Sequence, residues 1–350
     1  MTAPRLLPAK ASTFLVTFGL ALTIVWIVIG AVDVAGTGDD WRIFWGAGHS
    51  VGTPALIRAS RFAYTPGAAW LLWPFAHLPI AAGYYIYVVI MVACATAAAW
   101  LASKIYSLPF QTTAFMAFAW APFTIAICLG QNSPVALLCV MLATFGIVRR
   151  NQSLAGIGLG LLLYKPSDAV AVAFLLLILR QWRALAVAAA FALAWYLSSA
   201  AAAHDWLWPT QYVTMLSALY GRDVVANADY AISVPTLLTR FGVPNAAAWL
   251  AGAILLLAST PLLLRVSRLE AASVAPLIGV AASPHAWGYE AILALPFLWL
   301  AAARLNAVTF ALLALAYVVA PFYLFARVIH FNVLTIPVLG GVALWMRRRI

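Results

Sequence analysis

Apolar stretches of about twenty residues, the length a helix needs to cross a bilayer, succeed one another along almost the whole chain. Mean hydropathy is +1.00 and 8% of residues are charged, against about 25% in soluble domains. A soluble globular domain is excluded. Lipid offers no hydrogen-bond partners to the backbone, so apolar spans must close their bonds internally as helices. The predicted fold class is all-α: a polytopic membrane protein forming a single membrane-embedded domain over residues 1–350. A formal net charge of +11 in so apolar a chain points to loops facing anionic lipid, not to nucleic acid. No long polar segment is present, so chemistry is confined to loops and helix ends.

At 1.5 Å per residue, about twelve transmembrane helices fit the pattern. They lie near residues 12–32, 80–102, 109–128, 133–148, 152–164, 167–180, 184–203, 245–264, 270–283, 290–303, 306–326 and 331–346. The first is too long for the apolar core of a secretory signal and reads as an uncleaved helix. The stretch 68–102 would extend about 50 Å as one helix and contains Pro74 and Pro79. Residues 68–79 are therefore expected to form a short interfacial segment. Tyr164-Lys165-Pro166-Ser167-Asp168 interrupts the run 152–180 with polar groups too costly to leave in lipid, which predicts two short helices with their shared tip outside. The positive-inside rule then puts 13 of the 20 Lys and Arg on the cytoplasmic side, with both termini cytoplasmic. Eight of the nine acids fall outside, only Glu270 inside, and all five histidines lie at or just beneath the outer face. Two larger outer loops result, 33–79 and 204–244, each expected to carry short interfacial helices. Cys94, Cys128 and Cys139 match no metal or redox spacing and read as small buried hydrophobes.

Four outer segments concentrate polar side chains. In the first loop, Asp39-Asp40 precede Trp41, Phe44 and Trp45. Asp40 reads either as the N-cap of an interfacial helix or as a partly desolvated carboxylate serving as general base towards a hydroxyl. The pair can also bind a divalent ion weakly, although nothing in the chain demands a metal or another cofactor. Lys165 at the 164–168 tip is either a snorkelling lysine or a point charge for a phosphate. Gly130-Gln131-Asn132-Ser133 supplies helix caps or ligand contacts. Ser283-Pro284-His285-Ala286-Trp287-Gly288-Tyr289-Glu290 packs Ser, His, Tyr and Glu into eight residues, more than capping needs. Gly156, Gly158 and Gly160 stand in an apolar run and suit close helix packing rather than nucleotide binding. No metalloprotease, P-loop, hydrolase-elbow or dinucleotide motif is present.

Taken in order, Asp40, Tyr64-Thr65-Pro66, Gly130-Gln131-Asn132, Ala155-Gly156, Lys165-Pro166 and Ser283-Pro284 with Trp287 resemble the GT-C type polytopic glycosyltransferases. The resemblance is greatest to glycosyltransferase family eighty-seven, the polyprenyl-phosphate-mannose-dependent membrane mannosyltransferases. It implies a GT-C-like fold in the inner (plasma) membrane. The activity implied is inverting transfer of a sugar, mannose by default, from a polyprenyl-phosphate donor to a hydroxyl of a lipid or glycan acceptor, at a site on the periplasmic or extracellular side. Asp40, with Asp39 in reserve, would be the base. Lys165 and Arg61 would hold the donor phosphate, and Tyr64, Gln131, Asn132, His285, Tyr289 and Glu290 would line the site. Where the family often carries a His pair after Ser-Pro, this chain has Tyr289-Glu290, which bears on sugar and acceptor preference. Two other readings of the same spans are a transporter or flippase for a lipid-linked sugar, which calls for ionisable groups deep in the helices, and an inactive structural subunit of an envelope-polymer assembly.

Overall fold

The computed structural model describes residues 39–58, 61–226 and 231–304, with Thr309, Leu313 and Tyr317. The expected spans 12–32 and 331–346, most of 306–326, both termini, Asp33, Asp229 and His330 lie outside the described residues. Among the described residues the chain is helical, with no strand and one isolated antiparallel bridge, Ala231 to Trp287.

The first outer loop carries α1 (Asp39–His49) and α2 (Ala55–Arg58), and α3 (Ala69–Ala76) follows the Tyr64-Thr65-Pro66 element. Next come α4 (Ile80–Tyr106), α5 (Phe110–Phe118), α6 (Ala121–Leu129), α7 (Ser133–Val148), α8 (Gln152–Leu162), α9 (Pro166–Ile178) and α10 (Trp182–Ala203). The second outer loop holds α11 (Trp208–Ala226) and α12 (Val234–Arg240). Then follow α13 (Asn245–Ala258), α14 (Thr260–Arg265), α15 (Arg268–Ala282), a 3-10 helix at Gly288–Ala294 and α16 (Leu295–Ala303).

Among the described residues three helical stretches are long and apolar enough to cross a membrane: α4, α10, and α13 together with α14. A fourth candidate is the pair α5 and α6, bent by 58° where Trp120 turns extended ahead of Pro122. The remaining expected spans between 133 and 303 are built as shorter helices. α7, α8 and α9 have 16, 11 and 13 residues, about 17–24 Å of rise where the hydrocarbon needs about 30 Å. Their shortness follows from local chemistry. Pro134 opens α7, the Asn151 side chain caps α8 by accepting the Leu154 N–H at 3.0 Å, and Pro166 starts α9 directly after Lys165.

These short helices form the buried centre. α7 packs on α4 and α8, α8 on α10, and α15 on α9 and α16. The glycine run of α8 makes two of these contacts. A Cβ on Gly158 would stand 2.4 Å from the Ala143 backbone nitrogen of α7, and one on Gly156 would stand 2.4 Å from the Ala184 carbonyl oxygen of α10. The backbones meet without side chains between them, the small-residue contact used where helices associate in lipid. Large apolar side chains are left exposed on each of the three span-length stretches, such as Val89 on α4, Leu193 on α10 and Leu257 on α13, and also outside them, as at Leu71, Leu207 and Phe241. At the opposite end from the Lys165 tip, Ser267 and Glu270 close a capping box at the start of α15, and Glu270 also pairs with Arg304.

Gly158→Ala is expected to force α7 and α8 apart and lower stability by about 1–3 kcal/mol. Gly46→Ala, on α1 with nothing within 4 Å of the added methyl, is expected to be neutral or to stabilise by up to about 1 kcal/mol. Paired thermal melts of the two variants in detergent check the contrast.

Candidate active site

α1 begins at Asp39, so Asp39 and Asp40 occupy its first turn, where helix-dipole electrostatics favour negative charge. The sequence places Trp41, Phe44 and Trp45 at the lipid interface. In the structure Trp41 and Phe44 belong to the core and Trp45 is half-buried, while Arg42 is exposed. The difference comes from two glycines and a set of backbone acceptors. Gly130, at φ +74°, lets the main chain approach so closely that a Cβ there would fall 2.8 Å from that of Trp41, and Gly83 admits the far edge of the indole. The Trp41 indole N–H donates to the Ile80 carbonyl at 2.8 Å and that of Trp45 to the Leu78 carbonyl at 3.1 Å. With α1 fixed this way, Asp40 faces the turn after α6.

There the Gln131 Nε2 donates to Asp40 Oδ2 at 2.8 Å, and the Tyr64 hydroxyl donates to Gln131 Oε1 at 2.7 Å. The Tyr64 ring stacks on Tyr164, with centroids 5.9 Å apart and planes 13° off parallel. Tyr164 in turn donates from its hydroxyl to Asn132, to the backbone oxygen at 3.2 Å and the side-chain oxygen at 3.3 Å. The Thr65 N–H and hydroxyl both donate to the Tyr164 carbonyl. The Tyr-x-Pro element is thereby clamped to the tip between α8 and α9.

At that tip Lys165 is 5% exposed. Its Nζ lies 2.7 Å from Glu290 Oε1 and 3.2 Å from Asp168 Oδ2, with the rings of Tyr64 and Tyr289 each 5.7 Å away. Burial works against the ammonium charge, but Asp168 and Glu290 outweigh it and hold Lys165 protonated well above the usual lysine range. Glu290 has a second duty. Its Oε2 accepts the Trp287 N–H at 2.6 Å, closing the first turn of the 3-10 helix. The Trp287 indole donates to His285 Nε2 at 2.8 Å, and the imidazole stacks on Tyr220 of α11 at 4.1 Å. Indole is a donor only, so His285 Nε2 is unprotonated here. The Ile232 N–H donates to the Ala286 carbonyl at 3.0 Å, joining the second outer loop to the same segment.

The structure thus links Asp40, Gln131, Tyr64, Asn132, Lys165, Tyr289, Glu290 and His285 through direct contacts and shared neighbours. Arg61, three residues before Tyr64, is exposed. Asp39 is placed in the backbone of α1, and its side chain is outside the described residues. Among the described residues no group of three or more His, Cys, Asp or Glu converges in a way that could hold a metal ion. Three participants were not among the expected site residues. Asp168 is legible from its i, i+3 spacing to Lys165 across a Pro-initiated helix start. Tyr164 and Tyr220 carry no such local signal, because their roles depend on ring stacking between segments far apart in sequence.

Lys165→Met leaves Asp168 and Glu290 buried without their counter-charge, which is expected to cost about 3–5 kcal/mol of stability. Adding Glu290→Gln to that variant is expected to restore part of the loss, a recovery that thermal unfolding of the double variant measures directly.

No match was found among curated proteins or among solved structures. The family model of glycosyltransferase family 87 matches residues 62–284, from two residues before Tyr64 to the Ser-Pro ahead of His285. The match contains Tyr64, Gln131, Asn132 and Lys165, with Asp40 ahead of it and His285, Tyr289 and Glu290 just beyond it. Because it spans well over half of the chain, this membrane protein belongs to glycosyltransferase family 87.

Proposed function

We propose that the protein transfers a sugar, mannose by default, from a polyprenyl-phosphate donor to a hydroxyl of a lipid or glycan acceptor, with inversion, and that Asp40 is the general base. The observation that carries the reading is the Tyr64–Gln131–Asp40 chain of hydrogen bonds. A carboxylate accepts only, so the N–H₂ end of the Gln131 amide faces Asp40, and the Tyr64 hydroxyl, which can donate or accept, donates to the Oε1 end. The carboxylate is then held as an acceptor, the state a base needs. In the reaction the acceptor oxygen forms a bond to the anomeric carbon as Asp40 takes its proton. The bond from that carbon to the donor phosphate breaks, and the polyprenyl phosphate leaves with the electron pair. The donor arrives already activated, so positioning and charge stabilisation are the protein's main contributions.

The phosphate is best matched by the exposed guanidinium of Arg61, suited to paired phosphate contacts. Lys165 is less suited to an anion than its position in the sequence implies, because one positive charge there stands between two carboxylates. The distribution of arginines, lysines and acids supports a multi-pass protein of the inner membrane with cytoplasmic termini and the Asp40 network on the outer side.

Asp40→Asn is expected to lower transfer of labelled sugar from polyprenyl phosphate by at least about 100-fold with little change in melting temperature. Transfer assays on membranes containing the parent, Asp40→Asn and Asp39→Asn proteins check this. Full activity in both variants would remove the assigned base, and no transfer by the parent would favour a flippase or a structural subunit.

A further inference from the structure

Buried polar atoms that lack an aligned hydrogen-bond partner are costly, about 1–3 kcal/mol each, and few in native structures. Among the described residues they occur on Tyr87, Ser133, Lys165, Asp168 and Gln181. Gln181 lies beyond the far end of α9, about 20 Å of helix from Lys165. The other four belong to the Asp40 network or adjoin it. Tyr87 projects from α4 against Trp41 of α1, with ring centroids 4.9 Å apart, and against Phe44. Phe44 in turn meets the Tyr64 ring edge-on at 5.3 Å, and the Lys165 ammonium lies 5.7 Å from that ring. Ser133 follows Asn132, the acceptor of the Tyr164 hydroxyl. Asp168 Oδ2 is an ion-pair partner of Lys165 at 3.2 Å but accepts no aligned hydrogen bond.

The chemistry of these atoms restricts what can complete them. Asp168 only accepts, the Lys165 ammonium only donates, and the Tyr87 hydroxyl does either. A phosphodiester offers acceptors alone and cannot satisfy Asp168. Charge points the same way, since Lys165 with Asp168 and Glu290 carries one net negative charge and repels an anion. A ring bearing several hydroxyls both donates and accepts, is neutral, and stacks on aromatic faces such as that of Tyr289, beside the ammonium.

We infer that Tyr87, Lys165 and Asp168 form the subsite for the hydroxylated ring of the transferred sugar, with the phosphate outside it. The inference rests on the donor class proposed above and adds which residues read the sugar rather than the lipid phosphate.

Binding separates the two. The full-length protein in nanodiscs is titrated with radiolabelled polyprenyl phosphate and, separately, with polyprenyl-phosphate-mannose. Tyr87→Phe and Asp168→Asn are each expected to weaken binding of the sugar-bearing lipid about tenfold or more and to leave binding of the sugarless lipid unchanged. Tyr87→Phe removes only an unpartnered oxygen, so its ligand-free melting temperature is expected to equal or exceed that of the parent. It therefore carries the comparison even where Asp168→Asn does not fold. Equal losses on both lipids, no loss on either, or a lowered ligand-free melting temperature for Tyr87→Phe, the sign of a hydroxyl satisfied by structural water, would overturn the subsite while leaving the donor class intact. A parent protein that binds neither lipid overturns the donor class and the subsite together.

Discussion

Lys165 is an ammonium taken out of water at the junction of two short helices, and the rest of the site is arranged around keeping it charged. An unpaired charge in that position would be prohibitively costly. Two carboxylates from separate segments, Asp168 three residues along the chain and Glu290 more than a hundred residues later, meet at its Nζ. Because Glu290 also accepts the Trp287 N–H, the lysine's position is transmitted to the 3-10 helix and from there to His285 and Tyr220. The lysine thus ties the middle of the family-matched region to the segment just beyond its end.

The amide of Gln131 performs a similar service for Asp40 with neutral groups. A primary amide has two unlike ends and is directed by whichever neighbour has the fewer options. The Asp40 carboxylate, which only accepts, takes the nitrogen end, and the Tyr64 hydroxyl, its ring stacked on Tyr164, donates to the oxygen end. Since Tyr64 also forms one face of the Lys165 surroundings, the charged cluster and the Asp40 chain share a residue. A displacement of the tip between α8 and α9 would therefore be felt at Asp40 through Tyr64.

What could be read from the sequence follows the range of the forces involved. Helicity, the 80–102, 184–203 and 245–264 spans, and the break at Lys165-Pro166 are legible because hydropathy and proline act locally. The interfacial placement of Trp41 fails for the converse reason. An indole beside a lipid boundary and an indole buried against Gly83 and Gly130 look alike in a run of residues, and only the close approach of distant backbone distinguishes them. Of the twelve expected spans, 12–32, 331–346 and most of 306–326 lie outside the described residues, and among those described three stretches, with the bent α5–α6 pair as a fourth candidate, have span length. Apolarity marks the shorter helices equally, since they can be buried by one another as well as by lipid. In the site, the candidate residues were identifiable as polar groups stranded in apolar surroundings, but their pairings were not. Lys165 alone suggests a phosphate contact, and Lys165 between Asp168 and Glu290 does not.

The pairings also bear on which group can act as a base. Glu290 has one oxygen on Lys165 and the other on the Trp287 N–H. Asp168 stands against the same ammonium, with its Oδ2 3.2 Å from the Lys165 Nζ. His285 has its Nε2 lone pair committed to the Trp287 indole, so the proton of the neutral ring lies on Nδ1, making that nitrogen a donor. Three of the four ionisable acceptors in the network are thereby occupied with holding the structure or the lysine. Asp40 is half-buried at the start of α1 and accepts a hydrogen bond from a neutral amide, which fits the proposed role of base. An acidic residue at a helix start is ordinarily explained by the helix dipole alone, and the directed bond from Gln131 adds a second reason for a carboxylate at this position.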